Sequence, residues 1–380
     1  MTERSTSFFS PATRKDPYDY YKELRHATPV LNLGSFGWLV SRRKDVLFVL
    51  SRADLFSSSI KPDVALLGCD PPSHSRLRRL ANRLFSEDQI LPIEATIRAV
   101  AEDLVVSISR QWDLVGDFAV PFPILVMAER LRIEPERWPD LKRWSQAAVS
   151  INTGLRRRPE LAVSNALADF DCFFRRRIDC CRQRPGNDLI SGLMNPQSED
   201  EKLTDEEILS FSKLLLIAAG ETTTNLIGNA ILALLRNPVE LDSVLCNLSL
   251  IPRLVEETLR YDSPVQFVLR NATQDVRLCD TVLPAGVRVV ALLGSANRDE
   301  DFFHEPDRFD LNRFHQSNVA FGAGVHYCLG AMLARVEARI ALAVLVPLLT
   351  RFEAAENLNE IPLVDSIQLR GPKRLLLAPR

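Results

Sequence analysis

From Arg42 to Leu248 apolar residues recur at three- and four-residue spacing, broken by proline-marked turns at "DPPSH" (70–74), "PFP" (121–123) and "RNPVE" (236–240). This period predicts a stretch that is mostly helix. Runs with β-like character sit outside it: "PVLNLG" and "GWLV" before, and "QFVLRNA", "VRLCDTVLPAGVRVVALL" and "IQLRGPKRLLLAP" after. The pattern therefore predicts small sheets beside a helical mass. The segment "NPQSEDEKLTDEE" (195–207) is polar and leads into a helix that opens on a capping box, Thr204 with Glu207. That helix runs to Arg236, where Asn237 and Pro238 stop it, and at 1.5 Å per residue it spans roughly 48 Å. Its apolar middle, "LLLIAAGETTTNLIGNA" (214–230), is interrupted by Gly220, Glu221, three threonines and Asn225. Polar groups in a buried rod need partners or a task.

Composition changes this picture little. The 380 residues are 46% hydrophobic and 25% charged, ordinary for a globular chain, and no repeat, low-complexity tract or linker divides them. A net charge of -2 excludes a general nucleic-acid footprint and a general attraction to acidic membranes. The N-terminus lacks the apolar core of a signal peptide, and no run of about 18 apolar residues offers a membrane span. We therefore expect a cytoplasmic protein without membrane or nucleic-acid partners. Seven irregularly spaced cysteines form no disulfide framework, and six of them read as packing or surface residues.

The seventh is different. "FGAGVHYCLG" (321–330) sets Cys328 among three glycines ahead of a long apolar run with helical spacing. Cys328 should thus lie at or just before a helix N-terminus, where free N–H groups favour a thiolate. Gly322, Gly324 and Gly330 leave room for a flat, bulky group to approach the backbone. On this stretch alone a glycine turn with an incidental cysteine stays open. A catalytic nucleophile is disfavoured, because no histidine-and-acid set has matching spacing.

At this point the sequence strongly resembles the cytochrome P-450 family of haem-thiolate monooxygenases. The loop fits F-x-x-G-x-x-x-C-x-G at Phe321, Gly324, Cys328 and Gly330, and the resemblance implies that Cys328 is the proximal ligand of haem iron. "EETLR" (256–260) supplies E-x-x-R as Glu257 and Arg260, with Arg308 of "EPDRFD" (305–310) as the third member of a buried ion network. "DPPSHSRLRRL" (70–80) resembles the helix that holds the haem propionates, through His74 and Arg78 one turn apart; Arg270 and His326 match the other propionate donors. "AAGETT" (218–223) matches the oxygen-activation motif, with Glu221 and Thr222 as acid and alcohol of a proton relay and Ala218 facing the haem. A threonine that merely back-bonds to Ala218 is the structural alternative. One position departs from the family: Ala219 stands where glycine is usual, and the glycine follows at Gly220. A groove narrowed but still open, with distortion shared between these two, is the expectation.

The resemblance implies a mainly α fold with small β-sheets, a triangular prism of helices around haem crossed by a long central helix. It implies one domain over 1–380, with β-rich portions near the N-terminus and in 265–290 and 365–380. The implied activity is hydroxylation or epoxidation of a hydrophobic small molecule by O2 on non-covalent haem b, in a soluble bacterial-type monomer. The chain ends about 50 residues after the haem loop, too few for a reductase domain. Two electrons are thus expected from a separate ferredoxin with its reductase, or from a flavodoxin-type donor. A peroxide-driven peroxygenase and a haem-thiolate ligand sensor without turnover are the rival readings. Arg76, Arg79 and Arg83 fall on the helix face opposite His74 and Arg78 and are expected to be exposed and to dock an acidic donor, with Arg335 or Arg339 contributing. Segments 59–67, 150–175, 264–268 and 365–369 are expected, with Ala218, to border the substrate.

Overall fold

In the computed structural model, which describes residues 8–59, 65–106, 108, 110–152, 161–313 and 317–380, the apolar helical period becomes a stack of helices around one long rod. The helices that frame it are α1 (Tyr18–Ala27), α2 (Arg43–Ser51), α3 (Ser73–Leu84), α4 (Glu94–Val105) and α5 (Pro121–Leu131). They continue with α6 (Trp138–Asn152), α7 (Leu161–Gln183), α8 (Asp205–Arg236), α9 (Ile251–Tyr261) and α10 (Ala331–Leu345). Helix α8 is the predicted rod, 32 residues long. Its capping box forms as the sequence implies: Glu207 N–H donates to Thr204 Oγ1 at 3.2 Å, and Thr204 N–H to Glu207 Oε2 at 2.8 Å. Because α8 packs against α5, α9 and α10 at once, it is buried nearly all round, and this is why its sequence lacks a clean polar face.

The early and late β-like runs meet in one sheet. Strands β1 (Val30–Asn32), β2 (Trp38–Val40), β3 (Phe56–Ser57), β5 (Phe267–Ala272) and β8 (Arg288–Leu292) lie in the order β1-β2-β8-β5-β3. β2 and β8 pair in parallel with Leu39 opposite Val290, and the other neighbours are antiparallel. β4 (Trp112–Asp113), β10 (Leu376–Pro379) and β9 (Phe352–Ala354) form a second sheet, and β6 (Val276–Leu278) with β7 (Thr281–Leu283) a hairpin. The C-terminal run is less regular than its pattern predicts: Leu369 and Pro372 make only isolated bridges, to Val265 and Leu363, and a strand forms again at Leu376. Arg370 interrupts it by turning inward, with Nε 2.5 Å from Asp262 Oδ1. Mainly helical architecture with small sheets is thus the fold, as expected. No helix among the described residues is long and apolar enough to cross a membrane.

Candidate functional site

A cleft opens between α8 and the loop that precedes α10. On one wall stand Phe321, Gly322, Cys328, Leu329 and Gly330; on the other stand Ala218, Ala219 and Thr222. The cleft holds about 1410 Å3 free of protein atoms, part of it continuous with solvent. The cysteine loop is shaped by its glycines. Gly322 and Gly324 have φ of 73° and 71°, and a methyl on Gly324 would come within 2.4 Å of Leu50 O. A methyl on Gly330 would meet no atom within 4 Å, because that glycine faces the cleft. Cys328 N–H donates to Phe321 O at 2.9 Å, which closes the loop and aims the thiol inward.

The sequence places Cys328 by a helix N-terminus, and α10 indeed starts three residues later. That position alone does not ionise the thiol. Burial pushes its pKa up, against smaller opposing effects from the Gly330 N–H, Arg78 and Arg335. A bound metal reverses this, since a coordinating thiol is deprotonated outright.

At one edge of the cleft four donors converge from three parts of the chain: His74 and Arg78 from α3, Arg270 from β5, and His326 from the cysteine loop. The His74 and His326 rings lie 4.1 Å apart. Both nitrogens of His74 and Nε2 of His326 are buried with no hydrogen-bond partner among the described residues. Burial, then His74 and Arg270, drive His326 down to about 3, and burial lowers Arg270 to about 10. Four clustered donors, three orphaned nitrogens and depressed basicity describe a site built for anions that crosses the edge of a flat group. Two carboxylates on a macrocycle slotted between Cys328 and Ala218 fit it, and Asp70, held by Ser58 N–H at 2.8 Å, is the nearby acid.

On the opposite wall the Thr222 hydroxyl donates to Ala218 O at 2.8 Å, the back-bond that was the structural alternative for this residue. Glu221 is half-buried and its pKa is raised by burial, yet it does not line the cleft. The expected acid and alcohol are therefore neighbours in sequence that face different surroundings. Helix α8 is continuous through Ala219 and Gly220. Ala219 lines the cleft, whereas a methyl on Gly220 would point to Ser145 Oγ at 3.5 Å, so the two positions face different surroundings.

Two further expectations are corrected. Arg308 is not the third member of the buried network. Its side chain is 62% exposed and lies 3.6 Å from Glu305, while Arg313 Nε reaches Glu257 Oε1 at 3.4 Å. Arg308 contributes its carbonyl, which accepts from Arg260 and Arg313, each at 3.0 Å. Nor is there a free basic face on α3. Arg76 pairs with Glu207 and Arg83 with Glu201 at 2.7 Å, which fastens the first turn of α8 and the segment before it onto α3; of the three only Arg79 is exposed as expected, 3.6 Å from Glu201. Arg335 pairs with Glu256 at 2.5 Å and stacks over Phe321, and Arg339 pairs with Glu94.

Of the substrate-bordering segments, Leu66, Leu67, Pro264, Val265 and Val268 line the cleft. Residues 60–64 and 153–160 lie outside the described ones, and none of residues 161–175 lines it. Segment 365–369 packs instead toward the N-terminal aromatic cluster through Ile367. Missed from the sequence were Leu214 and Leu215, which sit one turn before Ala218 on the same face and follow from helical spacing, and Glu337, which carried no motif.

The geometry has counterparts in known proteins. A family model described as Cytochrome P450 matches residues 172–375. Cytochrome P450 107B1 of Saccharopolyspora erythraea is 33% identical, covering 98% of this chain and 97% of its own length. The Vitamin D(3) 25-hydroxylase of Pseudonocardia autotrophica is 34% identical over 97% of this chain and 94% of its own. The crystal structure of CYP109E1 from Bacillus megaterium in complex with corticosterone superposes with a TM-score of 0.88 at 35% identity, covering 97% and 99% of the two chains. A thiol loop facing a central helix, an anion-binding edge, and matches of this extent agree on one conclusion: the chain belongs to the cytochrome P450 family of monooxygenases and binds haem b.

Proposed function

We propose that this enzyme hydroxylates a neutral, ring-based hydrophobic molecule of steroid or secosteroid type, with Cys328 as the haem ligand and electrons from a separate ferredoxin or flavodoxin-type donor. The observation that carries the reading is the placement of Cys328 and Thr222 on facing walls of one cleft whose edge is lined by unpartnered donors. Bound haem supplies the activation of O2. The overall balance is substrate C–H plus O2, two electrons and two protons giving C–OH and water.

The chain's own residues do the rest. Cys328 holds the iron; His74, Arg78, Arg270 and His326 hold the two propionates with charge-assisted bonds. Leu66, Leu214, Leu215, Val265 and Val268 bury the substrate by apolar contact and exclude water. The Thr222 hydroxyl, now donated to Ala218 O, is the group able to turn and pass a proton into the cleft. Glu221, whose carboxyl is held above its ordinary pKa by burial, supplies protons from behind. Steroid-type chemistry is favoured by the names of the two relatives that act on vitamin D3 or bind corticosterone, and by a described distal wall of aliphatic residues. We place the enzyme in the cytoplasm as a monomer.

The test is a Soret-shift titration of the haem protein with corticosterone, vitamin D3 and a free fatty acid. Product analysis follows under ferredoxin, reductase and NADPH, or under hydrogen peroxide. Steroid-induced shift and partner-dependent product are expected. Product with peroxide alone would establish the peroxygenase reading, and haem without NADPH consumption under any donor would establish the sensor.

A further inference from the structure

Pro264, Val265 and Val268 on the apolar wall of the cleft, and Arg270 at its anion-binding edge, belong to one stretch of chain, the turn after α9 and strand β5. Where that stretch starts therefore sets both wall and edge. The start is pinned by polar contacts. Asp262, the residue after α9, is buried, and its Oδ1 accepts from the Tyr18 hydroxyl at 2.6 Å and from Arg370 Nε at 2.5 Å. Asn229 of α8 donates through Nδ2 to Asp262 O at 2.8 Å and to Arg370 O at 3.0 Å, so the central rod, the wall segment and the C-terminal run meet at one point. From there Arg370 N–H donates to Pro264 O at 2.9 Å and Gln266 N–H to Gln368 O at 2.7 Å, on either side of the Val265–Leu369 bridge.

Tyr18 reaches this point from the first position of α1, 244 residues earlier in the chain. The Arg298 guanidinium lies over its ring and over that of Tyr261, 3.4 and 3.9 Å from the two centroids, and donates twice to Tyr261 O at the end of α9. Gln266 Nε2, on the wall segment itself, is 3.4 Å from the Tyr18 hydroxyl. Burial, and then the Asp262 carboxylate, push the Tyr18 pKa far up, so the hydroxyl keeps its proton and remains a donor. Losing that hydroxyl would not orphan Asp262, which keeps Arg370; it would cut the link from Asp262 to α1 while leaving the ring over Arg298.

We propose that Tyr18 is a positioning residue for the selectivity of the reaction: its hydroxyl, acting through Asp262, fixes how far Pro264, Val265 and Val268 reach into the cleft, and so which carbon of a bound molecule is presented for hydroxylation. Its consequence for products rests on the hydroxylase reading above; its consequence for the shape of the cleft does not. Tyr18 itself lies outside the cleft and touches neither substrate nor cofactor. Little movement is needed, because a misplacement of about 1 Å at a reacting centre changes rates by up to about 100-fold. A wall released from α1 by a fraction of that distance redistributes product without loss of haem.

The test sets Tyr18→Phe beside Leu24→Ala, which loosens α1 by removing a buried apolar side chain and takes no polar contact from Asp262. The first readout needs no turnover: dissociation constants of imidazole and of phenylimidazole for the haem-loaded protein, from the Soret shift. Tyr18→Phe should change the ratio of the two constants by about threefold or more, and Leu24→Ala should leave it unchanged. The second is the ratio of positional products from corticosterone or vitamin D3, which should also move by about threefold in Tyr18→Phe at equal haem content. If neither compound is turned over, the steroid reading fails while the azole ratio still decides on Tyr18. An azole ratio in Tyr18→Phe equal to that of the unaltered protein, or an equal change in Leu24→Ala, would overturn the proposal. Should Tyr18→Phe fail to bind haem, Arg370→Lys decides, since it keeps a cation on Asp262 but alters its reach: an unchanged ratio overturns the link.

Discussion

Removal of the Glu257 carboxylate is the sharpest test of how this fold is held. Glu257 Oε1 and Oε2 each receive a 2.8 Å bond from Arg260, and Oε1 also accepts from Asp310 N–H at 2.9 Å and from Arg313 at 3.4 Å. Arg260, with its side chain 2% exposed, further donates to the carbonyls of Asn297, Pro306 and Arg308. Glu257→Ala leaves that guanidinium charge buried and unpaired, a loss of about 3–5 kcal/mol. Total stabilities run to about 5–15 kcal/mol, so the variant should accumulate as insoluble or haem-free chain. Arg313→Ala keeps the inner pair and removes the 3.4 Å contact to Glu257 together with the bonds from Arg313 to the carbonyls of His304, Glu305 and Arg308, so about 1–3 kcal/mol is expected. Arg308→Ala deletes only an exposed side chain and should lie within about 0.5 kcal/mol. Urea unfolding followed through haem absorbance measures all three on one scale. A soluble, haem-loaded Glu257→Ala protein of unchanged midpoint, or equal losses for Arg308→Ala and Arg313→Ala, would refute the reasoning.

Four other perturbations follow from the geometry. Cys328→Ala should abolish the red-shifted Soret band of the reduced carbon-monoxide complex; a surviving band would mean that another cysteine ligates iron. Thr222→Ala should consume NADPH at a near-normal rate while releasing peroxide in place of product, and unchanged product per electron would put the relay elsewhere. Arg83→Glu should weaken the clasp on Glu201 and lower the thermal midpoint with little effect on the rate of reduction by a ferredoxin, whereas a salt-dependent drop in reduction rate alone would restore the docking-face reading. In haem-free protein burial holds His326 down at about 3 and His74 below its ordinary value, while an unfolded imidazole titrates near 6.5. The unfolded chain then binds more protons at low pH, so stability should be complete above about 6.5 and decline as pH falls toward about 3; haem should reduce that slope by supplying carboxylates, and equal slopes with and without haem would count against the donor assignment.

The cysteine loop was legible because its constraints are main-chain constraints. Positive φ at Gly322 and Gly324, and the close approach of Gly324 to Leu50 O, can be met by few residue types, so the loop's pattern survives in one dimension. Glu257 and Arg260 were legible for a similar reason, since helix α9 fixes their three-residue separation in space. The third cation was not. Arg308 and Arg313 both lie in irregular chain between β8 and α10, where spacing along the sequence does not fix direction. The fold uses Arg308 for its carbonyl and Arg313 for its charge, a division that only the path of the backbone decides.

Charge on a helix face was misread for the opposite reason. Helical spacing put Arg76, Arg79 and Arg83 on one face correctly, but exposure depends on what packs there: the segment before α8 supplies Glu201 and the first turn of α8 supplies Glu207 from far along the chain, and of the three arginines only Arg79 stays exposed. The same distinction explains the displaced glycine in α8. Adjacent positions on a helix point about 100° apart, so moving a glycine by one residue moves it to another face altogether. Ala219 keeps its methyl on the cleft, while Gly220 looks toward Ser145 on α6, where a methyl would make an ordinary 3.5 Å contact. Neither crowding there nor a break in the helix accounts for glycine at that position. Whatever narrowing the cleft undergoes at this point therefore comes from the methyl group that Ala219 turns toward it, since Gly220 faces α6.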